Sequence, residues 1–371
     1  MKRYTIFVTC FLFLLLGSLP AAIAFEAEEY FEGKTIRFVT GSKPGGGTDI
    51  LLRYFASNWG KFFPGNPRFV VSNMPPHVSA LNWVWRKKGD GLTVFMHSTG
   101  VLREQALAQA EFKTGQFKYV GDIGDRSFVL TGYNLPYKDM RDAMGKNEPK
   151  LRYLDMIPSP ADMHPQAFQL MLLADWLGLP AEFGVIAERG TSVFLLEMER
   201  GNMNVVMGGA GRWFGWPKLR PGWLAERKLT PLLDMTFFGR KMLPNAEFKD
   251  VEKVPHVYTL LDKDQKELWT ALIEAPQSMN KPLVLPPGTS SDILNAYRKA
   301  LEDAMNDEQF RSGIKRVTGI PPTWVRGEEL AKEAAESERL WAKYREQEKD
   351  LRAAMYDKYI RKLPPQVSRP Q

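Results

Sequence analysis

Three consecutive glycines lie between an apolar run and a stretch with helical spacing, in Pro44-Gly45-Gly46-Gly47-Thr48-Asp49. Glycine permits positive φ and close approach to a ligand, and the first amides of a helix point outward with the positive end of its dipole. The pattern therefore predicts an anion site made of backbone. A tight turn in which Thr48 caps the helix and nothing binds explains the same spacing equally well. The segment matches neither a nucleotide-binding P-loop nor a dinucleotide-binding loop.

Two arginines follow predicted strands and are candidates for binding a carboxylate. Arg189 opens a helix, where its guanidinium could hold a carboxylate through two parallel hydrogen bonds; a surface pair with Glu188 or Glu199 is the alternative. Arg212 follows the predicted strand 204–207 and is therefore expected at the same edge of the sheet as Arg189. Both are predicted ligand-binding residues.

Further donors are expected where predicted strands end. His97 and His164 could each hydrogen-bond an acid, although a structural role explains both. Helix capping explains the nearby hydroxyl groups equally well. The hydroxyl donors are Ser98, Thr99, Ser159 and Thr191.

Residues for nucleophilic or metal chemistry are scarce. The only cysteine is Cys10, the four histidines are widely spaced, and no Gly-x-Ser-x-Gly occurs. Asp49 and Asp162 are both explained as acids of a first helical turn. We therefore predict a protein that is not an enzyme and that binds no metal and no cofactor. An enzyme that uses Asp49 with His97 remains the alternative.

Strands and helices must alternate to bring these residues together. The alternation occurs twice, which predicts an α/β fold with two lobes and a ligand cleft between them. The predicted strands are 36–40, 69–71, 92–96, 151–157, 183–186, 204–207 and 281–285. The predicted helices are 49–59, one from 79, 168–178, 194–201 and 293–301.

The start of the chain has the pattern of a secretory signal peptide. Lys2 and Arg3 precede the apolar run 6–16, and Ala22-Ile23-Ala24 follows at the distance of a cleavage site. We predict that residues 1–24 are removed and that the mature protein is exported to the periplasm. The full chain of 371 residues carries a net charge of +7, with acidic and basic residues interspersed, so no nucleic-acid partner is expected.

Several motifs occur in a fixed order along the chain, starting with Lys34 to Val39 before the glycine loop. The further motifs are Asn73-Met74-Pro75, Gly89-Asp90-Gly91-Leu92-Thr93, Arg189-Gly190, Glu199-Arg200-Gly201-Asn202-Met203-Asn204 and Leu285-Pro286-Pro287-Gly288-Thr289. Over about residues 34–325, this ordered set resembles the Bug-type (TctC-like) receptors, the periplasmic solute-binding proteins of tripartite tricarboxylate transporters.

The resemblance implies a two-lobed Venus flytrap of type II that closes over a small carboxylate. It implies contacts from the loop 41–49, which includes Ser42 and Lys43, and from the loop 97–100 in lobe one. In lobe two it implies contacts from 159–162 and from Arg189-Gly190-Thr191. The implied partners are a carboxylate ligand and the membrane subunits of a transporter.

This chain departs from that pattern at three turns, so its ligand stays open. Where the family has a glycine-rich stretch, this chain has Pro76-His77-Val78-Ser79-Ala80. The segment Pro158-Ser159-Pro160-Ala161-Asp162 also replaces glycines, and Glu188-Arg189-Gly190 replaces a turn with lysine.

The domain boundaries follow from the two alternations and the resemblance. We predict lobe one at 30–130 plus 278–363, lobe two at 131–277, and a disordered tail at 364–371. Apolar residues recur at three- and four-residue steps in the charged segment 328–359, which predicts a helix packed along its own lobe. A monomer is expected, and a sensor module for a signalling partner is a further alternative.

Overall fold

The computed structural model describes residues 25–97, 101–105, 110–124, 127–209, 216, 219–239, 253–277 and 279–362. The predicted signal peptide and the predicted tail lie outside these residues. Within them, no helix combines the length and the apolar composition needed to cross a membrane.

The first lobe is built on a six-stranded sheet. Its strands are β1 (Thr35–Thr40), β2 (Arg68–Asn73), β3 (Thr93–Met96), β4 (Lys118–Asp122), β10 (Pro282–Leu285) and β11 (Val325–Arg326). Their order in the sheet is β11-β4-β10-β3-β1-β2. Strands β1, β2 and β3 are parallel, whereas β10 is antiparallel to β3 and β4. The parallel sheet implied by the strand–helix alternation is thus mixed, because the chain re-enters from the second lobe in the opposite direction.

Helices cover both faces of this sheet, so its strands are apolar on both sides. Phe38 faces a core that includes Trp59, and its neighbour Val39 faces a second core that includes Leu81, as the two-residue period of a strand requires. The helices are α1 (Ala27–Phe31), α2 (Gly47–Asn58), α3 (His77–Trp85), α4 (Val101–Gln105), α11 (Ser291–Asn306) and α12 (Glu308–Thr318).

The second lobe contains two smaller sheets. Strand β5 (Phe128–Tyr133) pairs antiparallel with both β8 (Val205–Gly209) and β9 (Leu229–Asp234), while β6 (Leu151–Asp155) and β7 (Ala181–Val185) pair in parallel. Its helices are α5 (Met140–Ala143), α6 (Pro165–Leu177), α7 (Thr191–Glu199), α8 (Pro221–Ala225), α9 (Lys263–Trp269) and α10 (Ala275–Gln277). The expected double alternation is confirmed.

Helix α6 forms the centre of the second lobe. Every residue from Ala167 to Ala174 is buried, which is typical of a helix enclosed on all sides. The helix ends where predicted, at Gly178, whose φ of 60° suits glycine.

The two crossovers between the lobes meet at Asp122, which is fully buried. Its carboxylate accepts hydrogen bonds from the amides of Gly124, Asn280 and Lys281, at 3.0, 2.9 and 2.6 Å. One carboxylate therefore holds both connecting segments. The predicted boundary between residues 130 and 131 falls inside β5, all of which belongs to the second lobe's sheet.

The final helix, α13 (Gly327–Tyr359), contacts both lobes. In the first lobe, Glu338 accepts hydrogen bonds from the Gln105 side chain and the Gly115 amide. In the second, Arg352 donates to the Met163 carbonyl at 3.0 Å. This helix was predicted to pack along the first lobe only. Its second half instead packs on the second lobe, because its apolar residues continue beyond the part that contacts the first lobe.

A buried carboxyl group between α9 and α10 predicts a dependence of stability on pH. Glu274 lies in a π-helical turn, Thr270–Glu274, and burial raises its pKa from 4.5 to about 7 although Tyr258 and Trp269 donate hydrogen bonds to it. The folded state therefore holds a proton that the unfolded state loses between these pH values. Stability should fall by about 3 kcal/mol as pH rises through that range. Urea unfolding at pH 4, 6 and 8 measures the change.

The variant Glu274→Gln separates this group from the other titrating residues. It stays uncharged, so its stability should match that of the wild type near pH 4 and exceed it by up to about 3 kcal/mol at pH 8. Equal pH slopes for the two proteins would contradict the assignment.

Candidate functional site

The ends of several strands meet at one edge of the first lobe's sheet. The carboxyl ends of β1, β2 and β3 lie there because these strands are parallel. The amino end of β10 lies at the same edge because β10 is antiparallel to β3. This edge therefore carries the glycine loop, His97 and Lys281.

The structure uses part of the glycine loop internally. The amide of Gly45, whose φ is +78°, donates to Asp49 Oδ2 at 2.8 Å, and the amide of Gly46 donates to the Lys43 carbonyl at 3.2 Å. Helix α2 begins at Gly47, with Gly46 rather than Thr48 as its N-cap. Gly47 is exposed and lines a cavity, and a Cβ built on it meets no atom within 4 Å.

Asp49 holds this loop in place. It is 2% exposed, and it accepts hydrogen bonds from Arg53 Nε at 2.9 Å and from Asn73 Nδ2 at 2.7 Å, besides the Gly45 amide. Burial acts to raise the pKa of Asp49, but these three hydrogen bonds outweigh it, so the pKa is lowered. Asp49 is therefore a charged scaffold whose donors come from the loop, the helix and β2.

The other predicted ligand-binding residues at this edge differ in how exposed they are. Ser42 is half-buried, and its amide donates to Thr40 Oγ1 at 3.3 Å. Lys43 is exposed, whereas Thr48 is buried. His97 is 1% exposed and its ring centroid lies 4.8 Å from that of His77.

His77 accounts for the glycine at position 41. A Cβ on Gly41 would lie 2.4 Å from the His77 Cα, so only glycine fits there. The segment 76–80 departs from the family pattern, and its His77 side chain packs against the start of the glycine loop. Burial, followed by the charge of Lys281, lowers the pKa of His77.

The predicted residues of the second lobe's first loop interact with one another. The Ser159 hydroxyl donates to Asp162 Oδ2 at 2.6 Å, and the Asp162 amide donates to Ser159 Oγ at 3.1 Å. At the other predicted turn, Gly190 is the N-cap of α7 in extended backbone, and Thr191 is exposed at the first position of the helix.

Arg189 is held by buried groups of its own lobe. Its Nε lies 2.8 Å from Asp155 Oδ1, one terminal nitrogen donates to Gln166 Oε1 at 2.5 Å, and the other contacts His164. The alternative partner Glu199 pairs instead with Arg220. All three guanidinium nitrogens are therefore engaged within the protein.

Asp155 is the centre of this cluster and is fully buried. Its Oδ2 accepts from the Tyr153 hydroxyl at 2.6 Å, and its Oδ1 accepts from the Met156 amide at 2.8 Å. Burial acts to raise the pKa of Asp155, but the hydrogen bond and charge of His164 and the charge of Arg189 lower it overall. The cluster fixes the loops after β6 and β7 at one edge of the lobe.

A cavity of about 360 Å³ joins the two lobes beside the glycine loop. Gly47 of α2 and Gly209 at the end of β8 both line it, together with both crossovers. The crossover residues are Ile123, Gly124, Asn280 and Lys281. Among the predicted residues, Gly47 lines this cavity, whereas the Arg189 cluster, Ser159, Asp162, Thr191 and His97 do not.

Three predicted ligand-binding residues, Ser98, Thr99 and Arg212, lie outside the described residues. Within the part of the chain that the structure describes, no group of three or more His, Cys, Asp or Glu residues could hold a metal ion.

Solved structures resemble this chain closely enough to name its architecture. A TctC solute-binding protein from Polaromonas has a TM-score of 0.60 at 19% identity, covering 84% of this chain and 99% of that one. The protein has the two-lobed periplasmic-binding-protein fold. MatC from Rhodopseudomonas palustris, solved with bound malate, has a TM-score of 0.52 at 16% identity, covering 87% and 100%.

A further R. palustris structure, solved with adipate, has a TM-score of 0.52 at 15% identity and covers 86% of this chain and 97% of that one. No protein-family model matches this chain, and no curated protein matches it. The structural likeness establishes the Venus flytrap fold of type II, in which the ligand cleft lies between the lobes.

Sequence reasoning missed Lys281 and the wall formed by α12 and the loop after it. Lys281 was noted only as the start of a strand, and no local pattern distinguishes it. Ile50, in the first turn of α2, is 41% exposed and lines the cavity. The sequence feature that could have indicated this apolar wall is an apolar residue in the first helical turn after a glycine loop.

Proposed function

We propose that the protein is an exported receptor that captures a small carboxylate between its lobes and delivers it to a membrane transporter. The observation that carries this proposal is the cavity in which the start of α2, the end of β8 and both crossovers come together. A site that both lobes line is completed only when they close, so ligand binding favours the closed state.

The chemistry of the cavity suits an anion. The exposed start of α2 presents the positive end of the helix dipole, and Lys281 adds a positive charge. Proteins of this fold have been solved with malate and with adipate, which supports a carboxylate ligand here. Export to the periplasm and partnership with transporter subunits are part of this proposal.

The residues around the cavity divide into those that contact the ligand and those that hold the loops. We assign contact to Gly47 and place Gly45, Gly46 and Asp49 in the framework of the loop. Arg189, Gly190 and Thr191 form the framework of the facing lobe. The division into two lobes, with the first boundary before β5 and with α13 shared between them, belongs to the same proposal, as does the monomeric state.

The test narrows the cavity without disturbing the backbone. In Gly47→Val, the side chain extends into open space, since a Cβ there meets no atom within 4 Å. We expect the variant to fold normally and to lose the increase in melting temperature that the ligand gives the wild type. Thermal unfolding with and without small carboxylic acids, together with the acid recovered from purified protein, measures this.

Gly288→Val is the matched control. Gly288 is also exposed, lies beyond the opposite end of β10 from Lys281, and has its nearest contact at 3.8 Å. It should keep the ligand effect. Ligand stabilisation that survives in Gly47→Val would remove the glycine loop from the site, and consumption of the acid over time would indicate an enzyme instead.

A further inference from the structure

Lys281 is the charged residue among those that line the cavity. It lies immediately before β10, and its backbone is anchored because its amide donates to Asp122 at 2.6 Å and its carbonyl accepts from the Ile123 amide at 3.3 Å. The backbone from which its side chain starts is therefore fixed where the two crossovers meet. This junction connects the two lobes.

The ammonium group has weak partners in the protein. Nζ donates to the carbonyl and to the side-chain oxygen of Asn280, at 3.4 and 3.2 Å. Both acceptors are uncharged, and within the described residues no carboxylate lies within ion-pairing distance of Nζ. An ammonium that is partly removed from water without a counter-ion is stabilised strongly by an anion in the adjoining cavity.

The groups around Lys281 agree with a positive charge that faces an anion. Burial lowers its pKa, while the charge of Asp122 on β4 acts in the opposite direction. The Asp122 carboxylate accepts three backbone hydrogen bonds and so is committed to the crossovers. From α3, His77 also faces it, since burial and the charge of Lys281 together lower the pKa of His77.

The remaining walls of the cavity are largely apolar. Ile50 on α2 is 41% exposed and lines the cavity, as do residues of α12 and of the loop after it. These are Ile314, Val317, Ile320, Pro321 and Pro322. The Thr318 hydroxyl on the same wall is hydrogen-bonded to backbone carbonyls at 2.8 and 3.1 Å.

We propose that Lys281 is the counter-ion for the ligand's carboxylate and that the ligand is an amphipathic monocarboxylic acid whose hydrocarbon body packs on the Ile50 and α12 walls. This inference rests on the proposed function and narrows its substrate class. The cavity of about 360 Å³ has room for roughly twelve non-hydrogen atoms, at about 30 Å³ each. A second carboxylate at the far end would lie against apolar walls and lose its hydration without gaining a donor.

The experiment compares acids with their amides by isothermal titration of the purified protein. The probes are hexanoate, benzoate and malate, with hexanamide and benzamide as uncharged analogues. We expect hexanoate or benzoate to bind more tightly than malate and more tightly than its own amide. Lys281→Met should weaken binding of that acid by at least about tenfold and bring it to the level of the amide. Lys281→Arg should restore part of the difference.

Lys315→Met is the control, since it removes an exposed lysine of α12 that does not line the cavity. It should bind the acid as the wild type does. If Lys281→Met keeps wild-type affinity while Gly47→Val loses it, the site stands and Lys281 is not the counter-ion. Tighter binding of malate than of either monocarboxylate overturns the assigned ligand class. If the Gly47→Val variant also keeps its ligand stabilisation, the proposed function itself fails.

Binding should also draw a proton into the site. Because burial lowers the pKa of Lys281 and a paired anion raises it, titrations in buffers of different ionisation enthalpy should show proton uptake at alkaline pH. Uptake should be absent in Lys281→Met. The same uptake in both proteins would assign the proton to another group and overturn the pairing.

Discussion

Asp155→Ala is expected to lower the free energy of unfolding by about 3 to 5 kcal/mol, the range found when one partner of a buried ion pair is removed. The substitution leaves the Arg189 guanidinium, 19% exposed, without its carboxylate. It also removes the acceptor of the buried Tyr153 hydroxyl. Denaturant unfolding at neutral pH, followed by circular dichroism, measures the loss.

Two further variants show whether the loss belongs to the ion pair. Asp162→Ala removes an exposed acid that pairs with Ser159 in the loop after β6, so it should cost about 0.5 kcal/mol or less. Adding Arg189→Met to Asp155→Ala should recover part of the stability, because no uncompensated charge then remains. A cost for Asp155→Ala no larger than that for Asp162→Ala would contradict the assignment.

The pH dependence of this pair follows from the lowered pKa of Asp155. A carboxyl group whose pKa is lower in the folded state contributes stability above its unfolded value. That contribution is therefore present at neutral pH and is lost as pH falls from 3.8 toward the folded-state value.

Asp49→Ala is expected to reduce both stability and ligand binding. It removes the acceptor of the Gly45 amide, the Arg53 guanidinium and the Asn73 amide, which should cost about 2 to 3 kcal/mol. The glycine loop then keeps its side-chain link to β2 only at Ser42, whose carbonyl accepts from Asn73 Nδ2 at 3.0 Å, so the start of α2 is held less firmly beside the cavity. Denaturant unfolding measures the first effect, and ligand-dependent thermal shift measures the second.

Asp292→Ala provides the comparison for Asp49→Ala. Asp292 is likewise an acid in the first turn of a helix, α11, but it is exposed. Its loss should cost only the interaction with the helix dipole, about 0.3 to 1 kcal/mol, and leave binding intact. Equal effects of the two substitutions would mean that Asp49 acts through the dipole alone.

Local sequence pattern predicted seven of the eleven strands that the structure describes, but not β4, β5, β9 or β11. The β-rich run at Ile36–Thr40 and the glycine stop at Gly178 both lie where expected, because these features depend on neighbours within a few residues. The double alternation of strands and helices likewise predicted the two-lobed fold.

Local sequence pattern did not predict which residues the polar side chains pair with. Asp49 is joined to Asn73, 24 residues away, and Arg189 is joined to Asp155 rather than to a neighbouring glutamate. Such contacts depend on which strand ends share an edge, which follows from strand order in the sheet. Lys281 was not predicted as a site residue for the same reason. Its place in the cavity depends on β10 being antiparallel to β3.

Mass spectrometry of the small molecule that purified protein releases on denaturation tests the proposed function most directly. We expect a carboxylic acid released by the wild type and by Gly288→Val, and strongly depleted in Gly47→Val. A neutral sugar or an amine in its place, or an equal yield of the same acid from Gly47→Val, would contradict it.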